Sequence, residues 1–243
     1  MRAKKEDSMA RTRVLVLMAL LGLAAVAFLV LGLDSNEADP VSMQAEAPPQ
    51  EVEITDYQGV ALGSIEDFRE NSIRGVQEID PATYRLVVDG LVSQSASFTL
   101  DELATFDRAE KLVTLHCVEG WSVQALWEGI RLGDLLDQVS PAEEANTVIF
   151  HASDGYTTSL SLITVHTRNL IIADRINDIT LPAELGYPFQ LVAEDKWGYK
   201  WIRWLTRIEL SDDPEYQGFW ESRGFNNIGD TDGPIMDGFL ERE

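Results

Sequence analysis

The sequence predicts an α+β fold with a mixed sheet. Short β-type runs recur through the middle of the chain, each broken by Gly, Pro, Asn or Asp. Helical periodicity is confined to a few brief stretches, and strands do not alternate with helices in the βαβ rhythm of a parallel sheet. No internal repeat is visible.

The first element is of another kind. Val14 to Leu33 is a run of 20 residues without a charge, long enough as a helix to cross about 30 Å of hydrocarbon. Arg2, Lys4, Lys5, Arg11 and Arg13 precede it, and Asp34, Glu37 and Asp39 follow. The positive-inside tendency then puts residues 1–13 in the cytoplasm and the remainder beyond the membrane. The run is longer than the apolar core of a cleaved signal peptide, roughly 7 to 15 residues, so a retained transmembrane anchor over 14–33 is expected. Residues 34–56 are rich in Asp, Glu, Pro, Ala and Gln, bury little, and read as a flexible spacer.

One domain is expected over 57–221, enough chain for a full core. Tyr84-Arg-Leu-Val-Val-Asp89 alternates as a strand and stops at Gly90. Thr99-Leu-Asp-Glu102 is a capping box that opens a helix reaching about Phe106. Glu110 to His116 is the next strand, and Leu132 to Val139 an amphipathic helix stopped by Ser140-Pro141. Thr147–His151 and Tyr156–Leu160 flank Asp154-Gly155, the best hairpin signal in the chain. Asn169 to Ala173 is a strand or buried segment. Phe189 to Ala193 and Arg203 to Leu210 are the last strands, and Asp212-Asp-Pro214 breaks the pattern. Residues 222–243, rich in Gly, Asn and Asp, are expected to wrap the domain or fray, with no visible chemistry.

Charge excludes one class of partner. Of 19 Lys plus Arg and 41 Asp plus Glu, residues 1–33 hold 5 and 2, leaving 14 against 39 and a net charge of −25 on the other 210 residues. Such a surface repels nucleic acid. Its acidity is spread rather than blocked, as in a solvated surface. Against that background Lys196, Lys200 and Arg203 stand out, interleaved with Trp197, Gly198, Tyr199 and Trp201. They are either surface charges beside a buried aromatic strand or a phosphate cradle. In a cradle Gly198 would let the backbone approach while Lys and Arg supply charge-assisted hydrogen bonds.

The chain is centred on Thr114-Leu-His-Cys-Val-Glu-Gly-Trp-Ser122, which holds the sole cysteine of the 243 residues. Cys117 stands where the predicted strand gives way to a turn at Gly120. It has no partner for an internal disulfide, so its role is packing, reactivity or metal binding. A thiolate suits a soft transition metal. Zinc is a poor fit, since three histidines (His116, His151, His166) and one cysteine show no tight ligand spacing. A Cys–His nucleophile with His151 or His166 as base has no supporting motif. Glu119 and Trp121 beside the cysteine, and His151, Asp154 and Tyr156 on the hairpin, are either structural or pocket-forming.

Cys117-Val-Glu-Gly-Trp-Ser122, then Trp127-Glu-Gly129 and Leu135-Leu136, resembles the sulfite-oxidase-type molybdopterin oxidoreductase domain, in the branch of the periplasmic protein-methionine-sulfoxide reductases. Tyr187-Pro-Phe-Gln-Leu-Val192 and Lys196-Trp-Gly-Tyr-Lys-Trp-Ile-Arg-Trp204 are similar to that family's pterin-phosphate segment. Asn71-Ser-Ile-Arg-Gly75, Asp80-Pro81 and Tyr84-Arg-Leu-Val-Val-Asp-Gly90 resemble its opening segment. The three blocks stand in the family's order over roughly residues 68 to 221.

The resemblance implies a sulfite-oxidase-type molybdopterin-binding fold of mixed sheets and short helices. It implies that Cys117 joins a pterin dithiolene in holding molybdenum, or tungsten, and that the metal cycles between states two electrons apart. The implied cofactor contacts are Asn71, Ser153, Gln190, Gly198, Lys200, Trp201, Ile202 and Arg203. Ser153 neighbours Ala152, which stands where the reductase has a threonine; Gln190 stands in place of an arginine, and Trp201 replaces a commoner glycine. No arginine follows Cys117 closely, whereas an anion such as sulfite would want fixed positive charge there. A neutral S-oxide or N-oxide, small or protein-bound, would not. The expected activity is therefore reductive oxygen-atom transfer. Electrons would come from a separate partner, a membrane haem protein or a quinone-linked one, because the chain has neither Cys-x-x-Cys-His nor a Rossmann glycine fingerprint. Two alternatives are a sulfite-oxidising relative and a cofactor-free binding module of the same fold. The second is favoured by Arg11-Thr-Arg13, which is not a twin-arginine export signal.

Overall fold

The computed structural model describes residues 51–237; the expected anchor (14–33), the segment before it and most of the spacer lie outside them. Leu112, Val113 and Leu115 are apolar, flanked by residues that tolerate exposure, and lie in an extended strand. After the short hairpin of β1 (Asp56–Tyr57) and β2 (Val60–Ala61) come β3 (Leu86–Gly90), β4 (Ala96–Phe98), helix α1 (Leu100–Leu103), β5 (Arg108–His116) and β6 (Ser122–Arg131). Helix α2 (Leu132–Asp137), β7 (Thr147–Ala152), β8 (Thr157–Ser161) and helix α3 (Leu162–Thr167) follow. The chain then forms β9 (Ile171–Ile176), β10 (Ile179–Thr180), β11 (Gln190–Val192) and β12 (Leu205–Ser211).

The strands form two larger sheets. One runs β10-β9-β6-β5, with β11 also paired to β9, and every pair in it is antiparallel. The other runs β4-β3-β12-β7-β8 and is mixed, because β12 lies parallel to β3 and antiparallel to β7. Both sheets, with α1 and α2, feed one apolar core that includes Leu86, Trp127, Phe150, Ile172, Leu191 and Ile208. Burial of that apolar surface is the main force holding the sheets.

The α+β expectation with a mixed sheet is met, and the differences have physical causes. The capping box at Thr99 is present, with Thr99 Oγ1 accepting from Glu102 N and the Glu102 carboxylate accepting from Thr99 N, but α1 ends at Leu103. Tighter turns then carry the chain to Phe106. β12 begins at Leu205, not Arg203, because Trp204 sits at φ 50° in the left-handed region. β6 and α3 have no sequence expectation. β6 is buried on both faces along Ala125, Leu126 and Trp127, so it lacks the alternation that marks a half-exposed strand. α3 consists of Leu-Ile-Thr-Val-His-Thr, a poor helix former, held by the Ser161 cap, whose Oγ accepts from Thr164 N, and by burial of Val165.

Residues 218–237 pack rather than fray. Trp197 N donates to Gly229 O (2.8 Å), Thr231 N to Asp195 O (2.9 Å), and Phe225 bridges Met236.

Candidate active site

β5 and β6 pair in strict register from Arg108 opposite Ile130 to His116 opposite Ser122. Residues 117–121 are therefore a hairpin loop. Cys117 N donates to Trp121 O (2.9 Å) and Gly120 N to Cys117 O (3.0 Å), with Gly120 at φ 87° making the turn. The loop holds Cys117 at 6% exposure, and burial raises its thiol pKa, against the lowering effects of a backbone hydrogen bond at Glu119 and the charges of Arg203 and Arg69. A thiol so placed is a weak nucleophile in water, and a bound metal cation would deprotonate it. Asn71 Nδ2 stands 3.8 Å from its sulfur.

The second component is the segment 198–204. A parallel bridge between His116 and Trp197 ties it to the cysteine hairpin. Gly198 lies so close that a Cβ would come within 3.3 Å of His116 O and 3.6 Å of Cys117 Cα. Beyond it, the N–H groups of Ile202 and Arg203 find no backbone acceptor among the described residues. The Arg203 guanidinium donates to Glu184 O (3.2 Å) and Arg69 O (3.3 Å), and burial lowers its pKa against Glu70 and Cys117. Gly186, at φ 111°, makes room for it: a Cβ there would stand 2.8 Å from Arg203 Cβ.

Cys117, Asn71, Gln190, Gly198, Trp201, Ile202 and Arg203 all line one cleft of about 250 Å³. Two polar atoms of the lining residues, Gln190 Oε1 and Ser72 Oγ, are buried without a hydrogen-bond partner. Three further such atoms, Trp197 Nε1, Glu221 Oε2 and Asn227 Oδ1, belong to residues outside the lining, but these two are placed where a ligand in the cleft would satisfy them. Glu119, Trp121, Asp154 and Tyr156 also border the cleft.

Two expected contacts are elsewhere. Ser153 is exposed on the β7–β8 turn and does not border the cleft, because its N–H is drawn to Trp204 O (3.0 Å). Lys200 is turned away from it and wholly buried, its Nζ donating to Ser159 O (3.1 Å) and Glu221 Oε1 (2.6 Å). Lys196 likewise pairs with Asp230 and donates to Ile228 O. Of the basic trio only Arg203 meets the cleft. An unpaired buried ammonium is too costly to persist, so both lysines are claimed by carboxylates. His151 and His166 do not border the cleft either. His151 Nε2 sits 2.9 Å from Glu209 Oε2 and 3.0 Å from Arg207 Nη1, so the Cys–His nucleophile has no base. Trp220 and Phe225 border it without sequence notice, being brought there by contacts distant in the chain, and Tyr199, named in the sequence only beside the basic trio, borders it as well.

A soft thiol, a side-chain amide, orphaned acceptors and an arginine beside two free N–H groups fit a ligand that combines a soft metal, a hydrogen-bonding ring and an anionic tail. Residues 73–220 match the oxidoreductase molybdopterin binding domain. A protein of Azospira oryzae named as a protein-methionine-sulfoxide reductase subunit, YedZ1, is 34% identical over 155 residues, which are 63% of this chain and 58% of that protein. The catalytic subunit MsrP of the protein-methionine-sulfoxide reductase of Gluconobacter oxydans is 28% identical over 209 residues, 75% of this chain and 66% of that one. The chain thus spans less than two thirds of either relative. The crystal structure of the sulfane dehydrogenase SoxCD from Paracoccus pantotrophus superposes with a TM-score of 0.55 at 23% identity, over 57% of this chain and 41% of that chain, and so shares the fold. With the match extending over more than half of its length, the chain belongs to the family of oxidoreductase molybdopterin binding domains.

Proposed function

We propose that this protein reduces a neutral S-oxide by two-electron oxygen-atom transfer, taking its electrons from a separate redox partner. The observation that carries this reading is the lining of the cleft. Among the described residues Arg203 is the sole cation bordering it, while Glu119 and Asp154 add carboxylates. A sulfite ion would lack a dedicated counter-charge there, whereas a sulfoxide needs none. The names carried by the Azospira and Gluconobacter relatives support the same substrate class.

Bound molybdopterin would supply the two-electron chemistry of the metal, and the protein would bind, orient and tune it. Cys117 would give the thiolate. Gln190 Oε1, which is otherwise unpartnered, would accept a hydrogen bond from the pterin ring, and the unpartnered Ser72 Oγ would donate or accept one. Arg203, with the N–H groups of Ile202 and Arg203, would hold the phosphate. Asn71, at 3.8 Å from the sulfur, would limit solvent at the thiolate. Reduction of a sulfoxide consumes two electrons and two protons and releases water. Tyr156 is not the proton source, because its hydroxyl donates to Tyr199 O and burial raises its pKa well above the ordinary tyrosine value. The uncharged run Val14–Leu33 behind five basic residues supports a membrane-anchored, extracytoplasmic setting.

The test is metal and pterin analysis of protein from its native host, with methionine sulfoxide reduction driven by a reduced dye and sulfite oxidation assayed in parallel. Near one molybdenum per chain and sulfoxide turnover are expected, and Cys117→Ser should lose both metal and turnover. Sulfite oxidation without sulfoxide reduction would overturn the substrate assignment. Metal-free protein from the native host would overturn the enzyme reading.

A further inference from the structure

Seven aromatic side chains border the same cleft: Trp121, Trp201 and Trp204 come with the cysteine loop and the 198–204 segment, and the others are Tyr156 after β7, Tyr199, and Trp220 with Phe225. The orphaned polar atoms of the lining come from Ser72 and Gln190, and Trp220 and Phe225 contribute none. Phe225 lies beyond the residues 73–220 that match the family, in the C-terminal strap. The strap is fixed in place. Glu221 is wholly buried against Lys200, and the Tyr199 hydroxyl donates to Asn226 O (2.7 Å). Asn226 Oδ1 accepts from Ile228 N and Gly229 N (2.9 Å each). Gly229 is required where it stands, since a Cβ would lie 2.8 Å from Lys200 Cγ. The Phe225 ring centre is 5.2 Å from both Tyr199 and Trp220, and Phe225 and Trp220 stay partly exposed.

We infer that Trp220 and Phe225, held by the strap, are the specificity-determining wall of the cleft and select S-oxides that carry a bulky apolar or aromatic substituent. This rests on the S-oxide reading above. Sulfur beside an aromatic ring is favourable, and flat rings accept flat or aliphatic groups without ordering long side chains. Trp220 and Phe225 offer no charge, so the discrimination comes from the hydrocarbon body of the substrate. A dimethyl compound is too small to gain much from it.

The experiment compares methyl phenyl sulfoxide with dimethyl sulfoxide as substrates of the metal-loaded full chain, with methyl phenyl sulfone as a non-reducible competitor. Phe225→Ala and Trp220→Ala should lower the ratio of kcat/KM for the aryl over the dimethyl substrate by about three- to tenfold, and weaken inhibition by the sulfone by a similar factor. Phe225→Tyr should keep the ratio. Phe225→Leu, which retains packing volume against Tyr199, should lower it even where Phe225→Ala loosens the strap. Molybdenum and pterin content should hold at the wild-type level in Phe225→Leu. An unchanged ratio in an active protein would overturn this inference alone, as would loss of pterin from Phe225→Leu, which would place the ring on the cofactor. A wild-type chain that reduces neither sulfoxide would overturn the S-oxide reading as well.

Discussion

At the scale of single residues, the buried pair Lys200–Glu221 shows why the basic cluster was only partly legible. Lys200 looks like a phosphate ligand because the residues beside it are aromatic and small. Its partner lies 21 positions later, and Lys196 finds Asp230 34 positions away, so local sequence cannot reveal that both charges are engaged. Both side chains of the Lys200–Glu221 pair are fully buried, and Thr158 adds its hydroxyl to the same Glu221 oxygen. Glu221→Ala would strand an ammonium in the core, and should lower stability by about 3–5 kcal/mol in urea unfolding. Lys200→Met with Glu221→Leu removes both charges, and should recover most of that loss. Equal losses in the two variants would show that packing rather than charge pairing dominates. Cys117 and Arg203 stood out in the sequence as the sole cysteine and part of the basic cluster, whereas Asn71 and Gln190 were expected at the site only through the family resemblance. Tyr199, Trp220 and Phe225 were not legible as cleft residues, since nothing local distinguishes a cleft aromatic from a core one.

His151 makes a residue-scale prediction about pH. Burial lowers its pKa below the ordinary histidine value, outweighing the Glu209 carboxylate, while Arg207 acts in the same direction as burial. The fold therefore favours the neutral ring. Its contribution to stability is fully present above the unfolded pKa, near 6.5, and is lost as the pH falls through that value toward the lower folded one. Wild-type protein should lose stability more steeply than His151→Gln over that window, measured as the unfolding midpoint in urea at successive pH values. Parallel pH profiles for the two proteins would refute this.

At the scale of elements, the β5–β6 hairpin decides where the sulfur is held, and its two glycines should respond differently. Gly120 is at φ 87° with open space around the missing side chain. Gly120→Ala should therefore cost only the left-handed backbone penalty, about 1–2 kcal/mol. Gly129 sits at the bulge between β6 and β9, where a Cβ would come 2.0 Å from Ile172 O. Gly129→Ala must push paired strands apart and should cost about 3 kcal/mol or more, the upper end of overpacking. Thermal unfolding would order the variants, and a larger loss at Gly120 would contradict the geometry. The strand before Cys117 and the hairpin at Asp154-Gly155 were legible because one is a short apolar run ending at a turn and the other carries a strong turn pair. β6 was hidden by its burial on both faces.

At the scale of the whole molecule, the charge distribution acts on every ligand that approaches. Outside residues 1–33 the chain carries a net charge of −25. The potential of such a surface extends about 10 Å at 0.1 M salt and contracts as salt is added. It repels anions from the cleft, and it also strains the folded state by self-repulsion. Two consequences share this cause. The unfolding temperature should rise as sodium chloride is raised from low millimolar to physiological levels. Over the same range kcat/KM for a neutral sulfoxide should stay nearly flat, while inhibition by an anion such as sulfite should strengthen. The flat response separates a neutral substrate from a charged one without knowledge of its identity. A steep rise of sulfoxide turnover with salt would mean that the field hinders the substrate itself, and the neutral-oxide assignment would fall.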